Sequence, residues 1–247
     1  MEGLIPVLMA RRGASEVTAT DVYLHAIRKI AAIKHYYNVE FDFLVTPPRL
    51  GICDSLAQIK RTDFDLVNAS GLLYHVLSPM HYLFEIRALL RTGGIAIIST
   101  YVLTANDFAV HFNISGHFQS DISTYWYITA GLFDYMLRFT RLAPVDCFRV
   151  GSGKDWQAYT AVICRAIEDV LPTRDDDWMK QSAAHWESEW NSRKEMIRPQ
   201  TAPDVVYSGA FAREYLRDDT GTVDLLKAVT LMPPVSCIGE TKHMCSS

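Results

Sequence analysis

A continuous apolar stretch at residues 95–102, IAIISTYV, most limits what this chain can fold into. An apolar run without polar alternation is typical of a strand covered on both faces, as in a parallel sheet flanked by helices. Strand-like and helix-like segments alternate from residue 15 to about residue 143, which is the pattern of a doubly wound sheet. The sequence therefore predicts an α/β fold with a mostly parallel sheet.

Local patterns predict the individual elements and the direction of the last strand. Two strand-like runs at 145–150 and 158–167 are joined by a short connection, so the last strand is expected to be antiparallel. Parallel sheets of this kind bind ligands at the carboxyl ends of their strands. The remaining expected elements are helices at 3–10, 22–36, 79–94 and about 129–140, and strands at 15–20 and 39–45.

Charge and cysteine content argue against several classes of protein. The chain has 24 Lys and Arg against 28 Asp and Glu, a net charge of −4, so no global basic field draws it to DNA or to anionic lipid. The five cysteines are scattered without a CxxC pair, so neither a metal site nor a disulfide framework is predicted. Without a secretory signal or a membrane-spanning stretch, we expect a cytoplasmic protein that does not bind a membrane.

An apolar run at 64–79, FDLVNASGLLYHVLSP, breaks off into small polar residues and then resumes. A core strand has no reason of its own to end in Asn68-Ala69-Ser70-Gly71. Either a ligand lies so close that only small side chains fit, or the chain makes a tight strand-to-helix turn.

Three segments resemble class I S-adenosylmethionine-dependent methyltransferases: VTATD ending at Asp21, DFDLVNASGLLYHVLSP at 63–79, and RALLRTGGIAIIST at 87–100. The Gly-x-Leu-Tyr-His segment is similar to the branch that includes the tRNA wobble-uridine carboxymethyltransferase-like proteins. The resemblance extends over about residues 3–167. It implies a Rossmann-like methyltransferase domain at 1–167 and S-adenosyl-L-methionine as the cofactor.

The resemblance also implies cofactor-binding residues. Asp21, followed by Val22, would accept the two ribose hydroxyls, although an aspartate capping the next helix fits the same position. Asp54 and Ser55 would read the adenine edge, although an ordinary turn aspartate fits Asp54 equally well. Gly3 would be what remains of the family's glycine-rich turn.

The break at the end of the strand would border the methionine part of the cofactor. There Ser70 and Gly71 would wall the pocket, and the catalytic candidates Tyr74 and His75 would lie at the rim where the methyl acceptor arrives. Alternatively, the segment is a tight turn and His75 is a hydrogen-bonded structural residue. The nearby block Tyr125-Trp126-Tyr127 could line the acceptor site, but such a block is more often core.

The resemblance has a gap at its beginning. The family's first strand and its acidic-x-Gly-x-Gly turn should precede residue 3, so the fold is expected to be N-terminally incomplete. Three explanations remain open: a fragment of a longer protein, a degenerate homologue that binds no cofactor, or LIPVLMA as a replacement strand.

Residues 168–247 differ in character and are expected to form a mainly helical C-terminal extension. Trp178, Trp186 and Trp190 are spaced to lie along one helical face, which favours packing onto the domain over a partner site or a lid. A further helix is expected within AFAREYLRD.

Two functions compete on this evidence. The first is a methyltransferase acting on a small-molecule or RNA acceptor, and the second is a catalytically inactive methyltransferase-like scaffold. A nicotinamide-dependent oxidoreductase shares the early strand-Asp pattern, but it does not account for the Gly-Leu-Tyr-His segment or the antiparallel last strand.

Overall fold

The computed structural model describes residues 3–46, 63–105, 107–118, 120–151, 157–171, 178–185 and 222–225. The chain divides into two compact units, Met1–Lys60 and Arg61–Ser247. The predicted residues Asp54, Ser55, Trp186 and Trp190, and the predicted helix in AFAREYLRD, lie outside the described residues.

The first unit consists of two helices and a pair of parallel strands. Helix α1 has its C′ position at Gly13, in the left-handed conformation that glycine adopts readily (φ +92°). Strands β1 and β2 are parallel, with Thr18 opposite Asp42 and Asp21 opposite Val45. Its elements are α1 Leu4–Arg11, β1 Thr18–Asp21, α2 Ala26–Tyr37 and β2 Asp42–Val45.

A small apolar core holds this unit together. Val7 of α1, Ile30 of α2, and Val17 and Phe41, which precede β1 and β2, are all buried and form one cluster. Because residues 4–11 are helical, LIPVLMA does not serve as a replacement strand, and that explanation of the N-terminal gap is wrong.

The second unit is built around a six-stranded sheet. Its described elements are β3 Phe64–Ser70, a 3₁₀ turn Leu73–His75, α3 Pro79–Leu89, β4 Leu90–Leu103, β5 Val110–Phe112, a 3₁₀ turn Ile114–Gly116, β6 Trp126–Thr129, α4 Ala130–Phe139, β7 Leu142–Gly151, β8 Gln157–Ala166 and α5 Trp178–His185.

Strand β4 is the centre of this sheet. The strand order is β5-β6-β4-β8-β7, and β3 also pairs with β4. Strands β3, β4 and β6 are parallel, whereas β8 is antiparallel to both β4 and β7. The antiparallel last strand and the apolar, doubly covered β4 are thus confirmed.

Helix α3 ends earlier than the sequence predicts. We expected a helix over 79–94 stopped by Gly93-Gly94, but α3 ends at Leu89 and β4 begins at Leu90. The glycines lie inside the strand, where the β3–β4 register shifts between Phe64 and Leu66. At Gly94 a side chain would meet two carbonyl oxygens, 2.9 Å from Arg91 O and 3.1 Å from Phe64 O. The glycine therefore permits close backbone approach rather than ending a helix.

Part of the C-terminal extension packs on the sheet of the second unit. The Val223 N–H donates to Pro144 O at 2.9 Å, and Val223 and Leu225 are buried. In α5, Met179 is fully buried while Trp178 is largely exposed. None of the described helices is long and apolar enough to cross a membrane.

Substituting Gly94 by Ala should destabilise the protein. The new methyl group would meet main-chain oxygens, which cannot rotate away, so we expect the free energy of unfolding to fall by about 1–3 kcal/mol. Gly131→Ala is the matched control, because its methyl would meet the largely exposed ring of Phe108 at 3.3 Å and would lie at an ordinary contact distance, 3.7 Å, from Asp107 O. Denaturant unfolding should show no loss for Gly131→Ala; equal midpoints for the two variants would contradict this account.

Candidate functional site

The break after β3 has a specific backbone geometry. Gly71 has φ +75°, a left-handed conformation, and its N–H donates to both Ser99 O at 3.0 Å and Ser99 Oγ at 2.9 Å. Just before it, the Asn68 side-chain oxygen accepts the Ser70 N–H at 3.0 Å. The turn is thus fixed by two side chains, one from β3 and one from β4.

Three hydroxyl groups gather around this turn. Ser99 Oγ lies 2.7 Å from the Tyr159 hydroxyl oxygen. A Cβ atom on Gly71 would lie 3.3 Å from that same phenol oxygen and 3.4 Å from the Tyr74 hydroxyl oxygen. Glycine at this position is therefore required by the protein's own backbone and hydroxyl groups, whatever ligand binds here.

Tyr74 lies in the 3₁₀ turn and contacts the aromatic residues around it. Its ring centroid is 5.1 Å from that of Tyr101, and its carbonyl accepts the Tyr125 N–H at 2.8 Å. Burial, followed by the neighbouring Tyr159, raises the pKa of Tyr74 well above its usual value, so the phenol stays protonated. Among the described residues its hydroxyl makes no hydrogen bond, which leaves it available to a ligand.

His75 is held in one tautomer by a main-chain carbonyl. Its Nδ1 lies 2.7 Å from Ser123 O, and because a carbonyl only accepts, Nδ1 carries the proton. In the neutral ring Nε2 then has a free lone pair, which a general base requires.

The carbonyl that holds His75 is itself anchored by an acidic side chain. Asp121 Oδ1 accepts from Ser123 N at 2.8 Å and from Ser123 Oγ at 2.7 Å. Those hydrogen bonds, first from the Ser123 hydroxyl, hold the pKa of Asp121 below its usual range. The carboxylate therefore remains charged near the imidazole.

The aromatic block before α4 is divided between core and surface. Tyr127 is fully buried, whereas Tyr125 and Trp126 are half-buried. The Trp126 indole N–H donates to Val76 O at 2.8 Å and its ring contacts Phe112 of β5. The expectation that this block is mainly core therefore describes Tyr127 best.

In the first unit, Asp21 is the last residue of β1, and one of its two carboxylate oxygens accepts a hydrogen bond. Oδ1 accepts the Tyr23 N–H at 3.0 Å, and no described residue engages Oδ2. This is a local turn rather than a helix cap, because α2 begins only at Ala26. Val22, the next residue, is largely exposed. The carboxylate therefore keeps an oxygen for a ligand.

Gly3 has a packing reason for its identity. It precedes α1 with φ +84°, and a Cβ atom there would lie 2.6 Å from the Ile33 side chain. The close approach that glycine allows at this position is to α2, so the structure adds no support for Gly3 as a cofactor-binding residue.

Sequence reasoning missed Ser99, Tyr101 and Tyr159. The sequence pattern could have indicated two of them, because Ser99 and Tyr101 are two residues apart in IISTYV and so lie on the same face of the strand. Tyr159 carried no such signal, since it is brought to Ser99 by pairing between β4 and β8.

Comparison with known proteins supports the family suggested by the sequence. Residues 2–98 match the family model described as a methyltransferase domain. The tRNA U34 carboxymethyltransferase of Methylococcus capsulatus is 34% identical over 95 residues, which are 38% of this chain and 28% of that protein. The same enzyme from Colwellia psychrerythraea is 28% identical over 120 residues, 49% of this chain and 35% of that protein. The matched segments thus span about a third or less of these curated relatives.

Two solved structures share the fold at low sequence identity. The [4+2]-cyclase SpnF superposes with a TM-score of 0.52 at 15% identity, covering 67% of this chain and 71% of its own. A candidate methyltransferase from Bacillus halodurans superposes with a TM-score of 0.51 at 12% identity, covering 68% of this chain and 89% of its own. Residues 2–98 are thus similar in sequence to a methyltransferase domain, and the chain is similar in fold to these two solved structures. A cyclase among its neighbours shows that the fold alone does not set the reaction.

Replacing Gly71 by Ala should strain the turn at the end of β3. The left-handed conformation costs a residue with a Cβ about 1–2 kcal/mol, and the methyl would also crowd two phenol oxygens, so the free energy of unfolding should fall by at least that amount. Gly71→Asn is the matched control for the conformational cost, because asparagine tolerates this region better than alanine. A Gly71→Ala variant as stable as the parent chain in denaturant unfolding would contradict the described geometry.

Proposed function

We propose that this chain binds S-adenosylmethionine and transfers its methyl group to an acceptor molecule. The observation that carries the proposal is the turn at Ser70-Gly71, tied to Ser99 at the carboxyl end of parallel strands, within a segment that matches a methyltransferase domain. The names of the curated relatives make RNA one class of acceptor, and a small molecule is the other.

The residues present suit the cofactor's chemical groups. The unengaged Oδ2 of Asp21, with Oδ1, can accept hydrogen bonds from vicinal ribose hydroxyls. Beside Ser70 and Gly71, the neutral hydroxyls of Tyr74 and Tyr159 place no positive charge against a cation. When bound, S-adenosylmethionine supplies a methyl group on a positively charged sulfur that leaves as a neutral thioether.

His75 and Tyr74 are our candidates for work on the acceptor. Methyl transfer depends mostly on placing the acceptor atom in line with the methyl carbon, so positioning supplies most of the acceleration. A base is needed only when the acceptor atom must lose a proton. His75, with Nδ1 held by Ser123, can take that proton at Nε2, and the free hydroxyl of Tyr74 can orient the acceptor.

The decisive experiment for this proposal is calorimetric titration of the chain with S-adenosylhomocysteine. Asp21→Asn should keep the turn, because the amide oxygen still accepts the Tyr23 N–H, but it loses the charge that strengthens bonds to ribose. We expect about 1.5–3 kcal/mol weaker binding, roughly a tenfold to hundredfold higher Kd.

Asp42→Asn is the matched control, since Asp42 is an exposed aspartate on the neighbouring strand β2. Equal Kd values for the Asp21→Asn variant and the parent chain would remove Asp21 from the site. If S-adenosylhomocysteine does not bind the parent chain at all, the scaffold hypothesis replaces the enzyme.

Once an acceptor is known, His75→Ala should lower kcat more than it raises KM. The imidazole would act on a proton that leaves the acceptor, not on its binding, so we expect a loss of about a hundredfold in kcat. His81→Ala, at an exposed position on α3, is the control. Unchanged kcat in steady-state assays would return His75 to a structural role.

A further inference from the structure

A row of tyrosines crosses the sheet of the second unit just beyond the carboxyl end of β3. Tyr101 of β4 pairs directly with Tyr159 of β8. On the other side, Val102 pairs with Ile128 of β6, which brings Tyr127 level with Tyr101. Ring centroids confirm the row: Tyr101 lies 5.2 Å from Tyr159 and 5.8 Å from Tyr127. Tyr74 packs on the same ring, and we call these four residues the tyrosine row.

The row faces away from the apolar packing of the strands that carry it. Neighbouring residues on the other face, Val102, Ile128 and Ala158, are fully buried hydrocarbon. Within the row, Tyr127 is fully buried, whereas Tyr101, Tyr159 and Tyr74 are only half-buried. Tyr127 therefore belongs to the core, and the partly exposed rings of the other three residues are the ones that can contact a ligand.

The row also lies where β4 changes its partner. Strand β3 pairs with β4 as far as Ser70 opposite Ser99, and β6 joins only at Val102. Tyr101 lies between these two pairings. Tyr101 thus lies just beyond the carboxyl end of β3, and the carboxyl ends of parallel strands are where such sheets bind ligands.

The hydroxyls of the row are uncharged hydrogen-bonding groups. Ser99 Oγ accepts a hydrogen bond from the Gly71 N–H, and the Ser99 hydroxyl can donate its own hydrogen to the Tyr159 oxygen. The phenol hydrogen of Tyr159 can then be donated to a ligand. Burial raises the pKa of Tyr127 to about 12, and the pKa of Tyr74 rises for the same reason. The charged group that bears on both residues is the Asp121 carboxylate. A negative charge at this position opposes the binding of a phosphate group.

We propose that the tyrosine row binds the methyl acceptor, and that this acceptor is a small, uncharged, planar aromatic molecule carrying a hydroxyl or ring heteroatom. The inference rests on the proposed function. Aromatic rings offer faces and edges for a flat ring, and Tyr74 and Tyr159 offer hydrogen bonds to its heteroatom. The excess of acidic over basic residues in the chain agrees with a small molecule rather than RNA.

The test uses α-naphthol, which is planar, uncharged at neutral pH and fluorescent, titrated with the full chain with and without S-adenosylhomocysteine. Fluorescence anisotropy should show saturable binding. Tyr101→Leu should weaken it about threefold to tenfold through loss of ring contact, and Tyr101→Phe should restore it to within about twofold. Tyr159→Phe should weaken it about threefold to tenfold through loss of one hydrogen bond.

Controls distinguish binding at this site from nonspecific hydrophobic binding and from binding of anionic ligands. Tyr135→Phe and Tyr135→Leu alter a tyrosine that packs on Phe139 within α4, and neither should change α-naphthol binding. α-Naphthalenesulfonate has the same rings with a negative charge, and it should bind about tenfold more weakly. Circular dichroism should first establish that each variant is folded.

The possible results test the aromatic site separately from the proposed methyltransferase function. No saturable α-naphthol binding, or binding that Tyr101→Leu leaves unchanged, overturns it. The proposal is also overturned if an RNA hairpin with a loop uridine binds with an affinity that depends on Tyr101 while α-naphthol does not bind. If S-adenosylhomocysteine fails to bind but row-dependent α-naphthol binding persists, the aromatic site stands and the methyltransferase function fails.

Discussion

The second unit depends on strand β4 having a partner along both of its edges. Strand β8 covers one edge from Ile95 to Leu103, and the other edge is shared between β3 and β6. A buried strand cannot leave its backbone groups unpaired without a substantial free-energy cost, so this sharing is a requirement of the fold. It also creates the site, because the last pair of β3 with β4 and the first pair of β6 with β4 leave Tyr101 between them.

Under the proposed function, the residues of the Gly71 turn serve both stability and chemistry. Its N–H is satisfied by Ser99, and Ser99 in turn meets Tyr159, so one chain of hydrogen bonds joins β3, β4 and β8. Such a network fixes its members in one arrangement at little cost, provided that every buried group is satisfied. A site that works by positioning needs this kind of rigidity, since methyl transfer gains most from alignment.

Sequence reasoning predicted most of the fold, whereas the site residues that it named stay predictions. The continuous apolar run of β4 and the paired strands β7 and β8 are local patterns, and they are confirmed. The β5–β6 pairing was missed because strands of three and four residues are too short to show alternation. Ser70, Gly71, Tyr74 and His75 could be predicted because they are contiguous with a strand end. Tyr159 could not be predicted in this way, because it lies 60 residues from Ser99 in the sequence and is brought beside it only by the pairing of β4 with β8.

In the proposed reaction the positive charge of the cofactor disappears, and the electrostatics of the described candidate site do not favour that change. Tyr74, Tyr127 and Tyr159 contribute neutral oxygens and ring faces, and the Asp121 carboxylate adds a negative field. These groups favour a cation in the starting state, so they cannot by themselves accelerate a step that neutralises it. Any rate enhancement must then come from holding the two reactants in line and from a base placed for the departing proton. The fixed Gly71 turn and the single tautomer of His75 supply features of this kind, and a more strongly charged site would not.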